Sequence, residues 1–165
     1  MINDLKIIEK LLFKVHNSKI SSVTPDKECK EYFGYNFKTE KISLKFRKAK
    51  ITPKKVGQFV TLWKRNAQNS IEPYNEADNF DYYIIATREN EAFGFFIFPK
   101  NELIIRNVLS TILKEGKRGF RVYPSWNKTQ NQQADKSQIW QSKFFIDLSG
   151  NMDDNTGKLN AILSE

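Results

Sequence analysis

The chain has 165 residues, of which 39% are hydrophobic, a length and composition typical of one domain with its own core. Its formal charge of +8 favours an anionic partner, while a single cysteine, Cys29, and a single histidine, His16, exclude an internal disulfide and a Cys/His zinc site. The N-terminus lacks the apolar core of a signal peptide, and no apolar run reaches the roughly 20 residues that cross a bilayer, so we predict a cytoplasmic protein that does not bind membranes.

Residues 1–16 have apolar side chains at helical spacing, which predicts an amphipathic helix packed on the domain. His16, at its end, is interpreted as an ordinary helix-end or surface residue. A polar connector with Pro25 follows, and we expect the domain core over about residues 26–148 and a polar tail over 149–165. No linker divides the chain, so one domain over residues 1–165 is predicted. Cys29 is expected to be a small buried side chain.

Apolar and polar residues alternate from Ile42 to Arg47, which predicts a strand with one buried face and one cationic, wet face. The segment from Thr52 to Arg65 has apolar residues at i, i+3, i+4 and i+7, and Thr52 and Pro53 suit a helix start. A helix is therefore predicted there. Its first turn would hold Lys54 and Lys55 at the positive end of the helix dipole, where either a bound phosphate balances them or water solvates them.

The second half of the chain predicts a hairpin of two buried strands, FDYYIIAT and AFGFFIFP. A helix is expected from Lys100, ending at Gly116 or Gly119, then a strand in FRVYP and a loop in NKTQNQQADK. SQIWQSKFFIDL is predicted as a last long helix. This order of elements predicts an α/β or α+β fold, with a central mixed sheet flanked by helices.

Charge is concentrated between Lys38 and Arg65, where ten basic residues face one acid, Glu40. This segment contributes +9, so the remainder of the chain is close to neutral. Such a local excess indicates a polyanionic partner, most often nucleic acid, although a solvated charged surface is the alternative. A second basic group lies near aromatic residues, and cations beside rings are typical of single-strand binding. The predicted nucleic-acid-binding residues are Lys45, Arg47, Lys48, Lys50, Lys54, Lys55, Lys64, Arg65, Lys100, Lys117, Arg118, Arg121 and Trp126.

Glu72 and Asp81 precede or open the hairpin, and Lys100 follows its second strand. Carboxylates on adjoining strands with a lysine beside them are typical of metal-dependent nucleases, in which the carboxylates hold Mg²⁺ at the scissile phosphate. Other catalytic patterns are absent: the sequence contains neither a glycine-rich phosphate loop nor a recognisable setting for a nucleophilic serine or cysteine. No cofactor is therefore predicted.

Five segments together resemble the MepB family of small bacterial proteins: AKITPKKVGQFVTLWKR, EPYNEADNFDYYII, GFFIFPKNELI, GKRGFRVYPSW and KSQIWQSKFF. The resemblance runs from about Phe46 to Phe145. It implies a fold similar to PD-(D/E)XK endonucleases, with Asp81 as the first motif aspartate and Lys100 as the motif lysine. Phe98 then occupies the position of the second motif acid, and a phenylalanine cannot bind Mg²⁺.

We therefore expect a nuclease-like scaffold whose catalytic residues Glu72, Asp81 and Lys100 are vestigial, with no bound metal. It would bind RNA or single-stranded DNA in preference to duplex, with little sequence specificity. The alternative is a metal-dependent nuclease in which Glu72 or Glu102 replaces the missing acid. A third hypothesis is a protein partner or membrane surface for the basic face, which the absence of a basic amphipathic helix disfavours. The sequence leaves the oligomeric state open.

Overall fold

A computed structural model describes residues 2–150 and 153–164. Its α-helices are α1 (Asn3–His16), α2 (Lys100–Ile105), α3 (Gln132–Ser142) and α4 (Asp153–Leu163). Its strands are β1 (Ser21–Pro25), β2 (Tyr35–Lys38), β3 (Ser43–Lys48), β4 (Lys50–Thr52), β5 (Lys55–Thr61), β6 (Trp63–Arg65), β7 (Ile71–Pro73), β8 (Tyr82–Glu89), β9 (Ala92–Pro99), β10 (Gly119–Val122) and β11 (Phe145–Asp147).

The largest sheet has six strands in the order β1, β2, β3, β8, β9 and β11. Only β3 and β8 pair in parallel, and the other neighbours are antiparallel, so the sheet is mixed. The predicted hairpin is its centre: β8 and β9 are buried along most of their length because both are continuous apolar runs. The fold is a single α+β domain, which confirms the predicted class. A smaller sheet, in the order β10, β5 and β4, and the β6–β7 hairpin complete the strands.

The helix predicted over Thr52–Arg65 is wrong, because this segment forms β4, the turn after it, β5 and β6. Burial in this segment has a period of two, since Gln58, Val60 and Leu62 are buried on one face. Gly57 adopts φ +85°, a left-handed conformation that a helix does not contain. Pro53 and Lys54 therefore lie at a hairpin turn, and the anion site expected at a helix N-terminus does not exist there.

The predicted helix after β9 is shorter than expected, since α2 ends at Ile105 and Asn107 adopts φ 62°. Residues 106–118 form a loop, which the Lys117 N–H closes by donating to the Val108 carbonyl at 2.9 Å. The strand predicted in FRVYP is present as β10. It pairs with β5, which places this loop beside the β4–β5 hairpin.

The C-terminal predictions need three corrections. α3 begins inside the predicted loop because Asn131 caps it, its side chain accepting a hydrogen bond from the Ala134 N–H at 2.9 Å. The predicted last helix stops at Ser142, and Phe145–Asp147 forms β11 at the edge of the large sheet. The expected polar tail contains α4, whose Leu159 is fully buried. Residues 151, 152 and 165 of that tail lie outside the described residues.

The helix predicted in the first sixteen residues is present as α1, with Leu5, Ile8 and Leu12 in the core. The buried carboxylate of Asp4 holds α1 to the sheet through ion pairs with Lys48 at 3.0 Å and Arg88 at 2.8 Å.

None of the helices among the described residues is long and apolar enough to cross a membrane. Cys29 is free and buried, as expected. The cytoplasmic location stays a prediction.

Candidate nucleic-acid interface

The cationic wet face that the sequence predicts on β3 is wrong, because Lys45 and Arg47 are buried, and their predicted contact with nucleic acid loses the exposure on which it was based. Arg47 is 0% exposed and pairs with the buried Asp26 carboxylate at 2.5 Å. Lys45 is 9% exposed and donates to the Asn36 side chain at 2.8 Å, with Asp26 at 3.7 Å. Both faces of β3 are covered, so the alternation of side chains marks two buried faces. We call Asp26, Lys45 and Arg47 the buried ion cluster.

In the buried ion cluster the single carboxylate of Asp26 compensates one of the two positive charges, and Arg47 Nε has no hydrogen-bond partner among the described residues. Burial raises the pKa of Asp26, but the charges of Arg47 and Lys45 and the Glu28 N–H outweigh it and hold that pKa below its usual value. Burial lowers the pKa of Lys45 although Asp26 lies nearby. The Lys45 ammonium also lies 4.5 Å from the centre of the Tyr74 ring. These charges are used in holding the fold together.

Five of the ten other cations of the predicted interface have acidic partners on the protein. Lys48 pairs with Asp4 at 3.0 Å, and Lys50 is 3.8 Å from Glu31. Further ion pairs join Lys64 to Asp78 at 2.7 Å, Arg65 to Glu28 at 3.4 Å and Arg118 to Glu115 at 3.1 Å. The more exposed of these pairs contribute little to stability, yet each carboxylate cancels charge that a phosphate would otherwise meet.

The nuclease-like residues gather at one end of the hairpin, where the Lys100 N–H donates to the Asp81 carbonyl at 2.9 Å. Asp81 does not face Lys100 with its carboxylate, which accepts hydrogen bonds from the Ser43 N–H at 2.7 Å and the Ser43 hydroxyl at 3.1 Å. The Lys100 ammonium instead donates to the carbonyl of Asp78, a residue that the sequence reasoning missed. Glu72 lies 3.7 Å from Lys64. Phe98 is fully buried among aromatic rings.

The carboxylates at this end of the hairpin have hydrogen-bond partners on the protein. The Asp78 carboxylate is shared between Lys64 and the Asn75 N–H, and Asp81 is bound to Ser43. Within residues 2–150 and 153–164, no three His, Cys, Asp or Glu side chains are grouped so that they could hold a metal.

A different set of cations surrounds a cavity of about 630 Å³ between the β4–β5 hairpin, the loop over residues 106–118 and α3. We call it the basic cavity. Its lining includes five cations and no acidic residue: Lys54, Lys55, Arg106, Lys117 and Arg121. A smaller cavity of about 350 Å³ shares Lys54, Lys55 and Arg121 with it, so the positive surface continues beyond the rim.

The cations of the basic cavity differ in how they are held. Lys54, Lys55 and Lys117 are exposed, and none of them forms an ion pair with another described residue. The Arg121 guanidinium is fixed to the hairpin, since it donates to the Thr52 hydroxyl and lies 3.3 Å from the Val56 carbonyl oxygen. Arg106 is the exception, because it pairs with Glu102 at 2.9 Å. Four cations therefore lack a carboxylate partner.

The wall of the basic cavity under α3 is polar and ordered. Gln141 is 1% exposed; its side-chain oxygen accepts from the Tyr123 N–H at 2.8 Å, and its side-chain nitrogen donates to the Arg121 carbonyl at 2.9 Å. These bonds fix α3 against β10. Amide side chains of Gln130, Asn131 and Gln133 line the same wall. They could donate to or accept from a ligand without adding charge.

The tryptophan that lines the basic cavity is Trp140, whereas the predicted binding residue Trp126 lies outside that lining. The Trp126 indole N–H donates to Glu89 at 2.9 Å, and its ring packs edge-on against Phe145 with centroids 5.5 Å apart. Trp140 lines the basic cavity, partly exposed, with the Arg106 guanidinium 5.1 Å from its ring centre.

The sequence reasoning missed Arg106, Trp140 and the amides of α3. The amide-rich stretch NKTQNQQADK, which ends at Lys136, contains Gln130, Asn131 and Gln133 and could have indicated a polar binding wall, but its composition also fits the loop that we predicted.

Comparison with known proteins identifies relatives of the whole domain. The MepB-like family model matches residues 26–147. The crystal structure of MepB superposes with a TM-score of 0.80 at 33% identity, covering 92% of this chain and all of that one. A bacterial homing endonuclease matches with a TM-score of 0.48 and 14% identity, over 82% of this chain and 84% of the other, a likeness too weak to carry an argument. No curated protein sequence matches significantly.

Proposed function

The chain belongs to the MepB-like family, and we propose that it binds single-stranded nucleic acid, RNA or DNA, with little sequence preference and without cleaving it. The observation that carries this proposal is the basic cavity, which five cations and no acid line. Like charges held close together repel one another, and Lys54, Lys55 and Lys117 are exposed to water and pair with none of the described carboxylates. Phosphates would replace that water and release counterions from the nucleic acid, which favours binding.

Single strands suit this site better than duplex for two reasons. Trp140 offers a partly exposed ring beside the cations, which Arg106 and Phe98 also contact. A base could stack there by displacing Arg106, and only when the base is free of a helical stack. The cations also surround a concave space, whereas a duplex backbone requires an open groove or a protruding element. Neither reason involves recognition of a particular base, so the binding would tolerate any sequence.

The absence of cleavage is proposed from the partners of the motif residues. The Asp81 carboxylate is held by Ser43, Lys100 turns to Asp78, and Phe98 is buried where the motif would place an acid. The nuclease-like ancestry of the scaffold stays a prediction from the family resemblance. That ancestry would explain why Asp81 and Lys100 lie together at one end of the hairpin while the proposed binding site lies elsewhere.

A fluorescence anisotropy panel tests the proposal. Labelled single-stranded RNA, single-stranded DNA and duplex DNA of equal length are titrated with the protein in about 50 mM salt, where electrostatic binding is strongest. We expect both single strands to bind more tightly than the duplex. Lys54→Glu/Lys55→Glu should weaken binding of all three, since it reverses two charges at the rim of the basic cavity.

The matched control is Lys6→Glu/Lys10→Glu, which makes the same change of charge at exposed positions of α1. If both variants lose affinity equally, overall charge and not the basic cavity governs binding. If the wild-type protein binds none of the three ligands, the proposed function is wrong.

A further inference from the structure

The basic cavity holds more positive charge than a single internal phosphate requires. A phosphodiester within a strand carries one negative charge, and an extended strand passes its phosphates one at a time. A phosphate monoester carries about −1.5 to −2 at neutral pH and presents three acceptor oxygens. Four cations without carboxylate partners around one concave space therefore match a monoester better than a diester.

These cations come from separate segments and converge on one space. Lys54 and Lys55 lie at the β4–β5 turn, Lys117 ends the loop over residues 106–118, and Arg121 lies on β10. The guanidinium of Arg121 is held by Thr52 and the backbone of β5, so it is oriented before any ligand arrives. A pre-oriented guanidinium suits the bidentate geometry of a phosphate group.

The first turn of α3 also faces the basic cavity, although the Asp135 carboxylate in that turn offsets part of the positive helix dipole. Asn131 and Ala134 line the basic cavity, so the N-terminus of this 11-residue helix faces it. The positive end of a helix dipole favours a dianion over a monoanion. The contribution of the helix dipole is secondary, because the match to a phosphate monoester rests on the four cations.

Size and lining fit one terminal nucleotide. The volume of about 630 Å³ lies in the range of about 300–1,000 Å³ that small-molecule sites occupy. Beside the cations, the partly exposed ring of Trp140 could stack on a base, and Gln130 and Gln133 could meet its polar edge or the sugar. A long strand would instead need a continuous track of such features.

We propose that the basic cavity binds the phosphorylated end of a single strand, taking the terminal phosphate monoester among Lys54, Lys55, Lys117 and Arg121 and the terminal base against Trp140. This inference rests on the proposed single-strand binding and adds the class of ligand. The same chemistry is offered by a 5′-phosphate and by a 3′-phosphate.

The test compares one single-stranded oligonucleotide, labelled internally, in three forms: 5′-phosphate, 3′-phosphate, and hydroxyl at both ends. At about 150 mM salt, where weaker nonspecific binding is screened, we expect one phosphorylated form to bind at least about tenfold more tightly than the hydroxyl form. The variant Lys54→Gln/Lys117→Gln should abolish most of that advantage. Both lysines are exposed and outside ion pairs, so the variant should fold normally.

The control variant Lys6→Gln/Lys10→Gln, on α1, should keep the full advantage. Equal affinity for the three forms would overturn the end-binding inference and leave single-strand binding intact. An advantage that survives in Lys54→Gln/Lys117→Gln would overturn the assignment to the basic cavity. Failure to bind any form, repeated at about 50 mM salt, would overturn this inference together with the proposed function.

Discussion

The buried ion cluster and the basic cavity contain the same types of cation in different electrostatic settings. In the cluster, Arg47 is fully buried and pairs with Asp26 at 2.5 Å. At the cavity, Lys54 and Lys55 are exposed and have no ion pair with a described residue. Arg47, Lys54 and Lys55 all belong to the segment between Lys38 and Arg65 whose +9 charge dominates the sequence. The comparison shows that a count of cations overstates the charge offered to a ligand, because the fold neutralises part of it.

The largest effect that we predict is on stability, in the buried ion cluster. Arg47→Met removes the main partner of the Asp26 carboxylate and leaves that charge buried beside Lys45 alone. Breaking a buried ion pair in this way costs about 3–5 kcal/mol. Urea unfolding followed by circular dichroism measures the loss in free energy of unfolding.

The double variant Asp26→Asn/Arg47→Met supplies the control, since it removes both charges. It should be less destabilised than the sum of the single variants. An Arg47→Met protein as stable as the wild type would contradict the structural role of the cluster. It would then favour a role for Arg47 other than stabilising the fold.

The next effect concerns the two tryptophans. Trp140→Leu should weaken single-strand binding by about 1–3 kcal/mol, the usual contribution of one base stacked on an aromatic ring. Trp126→Phe should leave affinity unchanged, because the Trp126 ring packs on Phe145 and its N–H is bound to Glu89. Anisotropy titrations of both folded variants measure the difference. The reverse order of effects would place the nucleic acid near Trp126.

A smaller effect is the response of stability to acid. The pKa of Asp4 is raised by burial but lowered more by Arg88 and Lys48, and that of Asp26 likewise ends below its usual value of 3.8. The unfolded chain therefore takes up protons first as the pH falls. The stabilisation is complete above the unfolded pKa and is lost as pH falls from there through the lowered folded values. Thermal unfolding between pH 6 and about pH 2 should show this loss.

Asp26→Asn should remove its share of that pH dependence, so its unfolding temperature should fall less steeply with acid than that of the wild type. An identical acid response in the two proteins would show that Asp26 keeps an ordinary pKa.

The last prediction is that the protein does not cleave nucleic acid. With Mg²⁺ or Mn²⁺ present, labelled RNA and DNA should remain intact, since the carboxylates of Asp78 and Asp81 are taken up by protein partners. Gel analysis of the incubated substrates is the measurement. Cleavage that disappears in Asp81→Ala would contradict this and favour the nuclease alternative, with the motif acid supplied from Glu72 or Glu102.

The sequence correctly predicted those helices and strands whose residue patterns fit only one type of secondary structure. α1 and the β8–β9 hairpin were predicted because a 14-residue amphipathic helix and two continuous apolar runs admit few alternatives. The segment from Thr52 to Arg65 fitted both a helix and a strand, and only pairing with β10 decides between them. Tertiary contact of this kind does not follow from local spacing.

The basic cavity was predictable only in part. Lys54, Lys55, Lys117 and Arg121 were predicted as binding residues from their charge, a prediction that still awaits experiment. Charge alone could not distinguish them from Arg47, because the partner Asp26 lies 21 residues away in sequence. Arg106 and Trp140 were missed since their elements meet the hairpin only in the folded protein.

The salt dependence of binding tests the central claim most directly. Each lysine–phosphate contact on a single strand adds about 0.7 to the slope of log affinity against log salt concentration. Replacing Lys54, Lys55 and Lys117 by glutamine should therefore lower the slope by about 2 relative to the wild type. An unchanged slope in this triple variant would show that the phosphates are bound elsewhere on the protein.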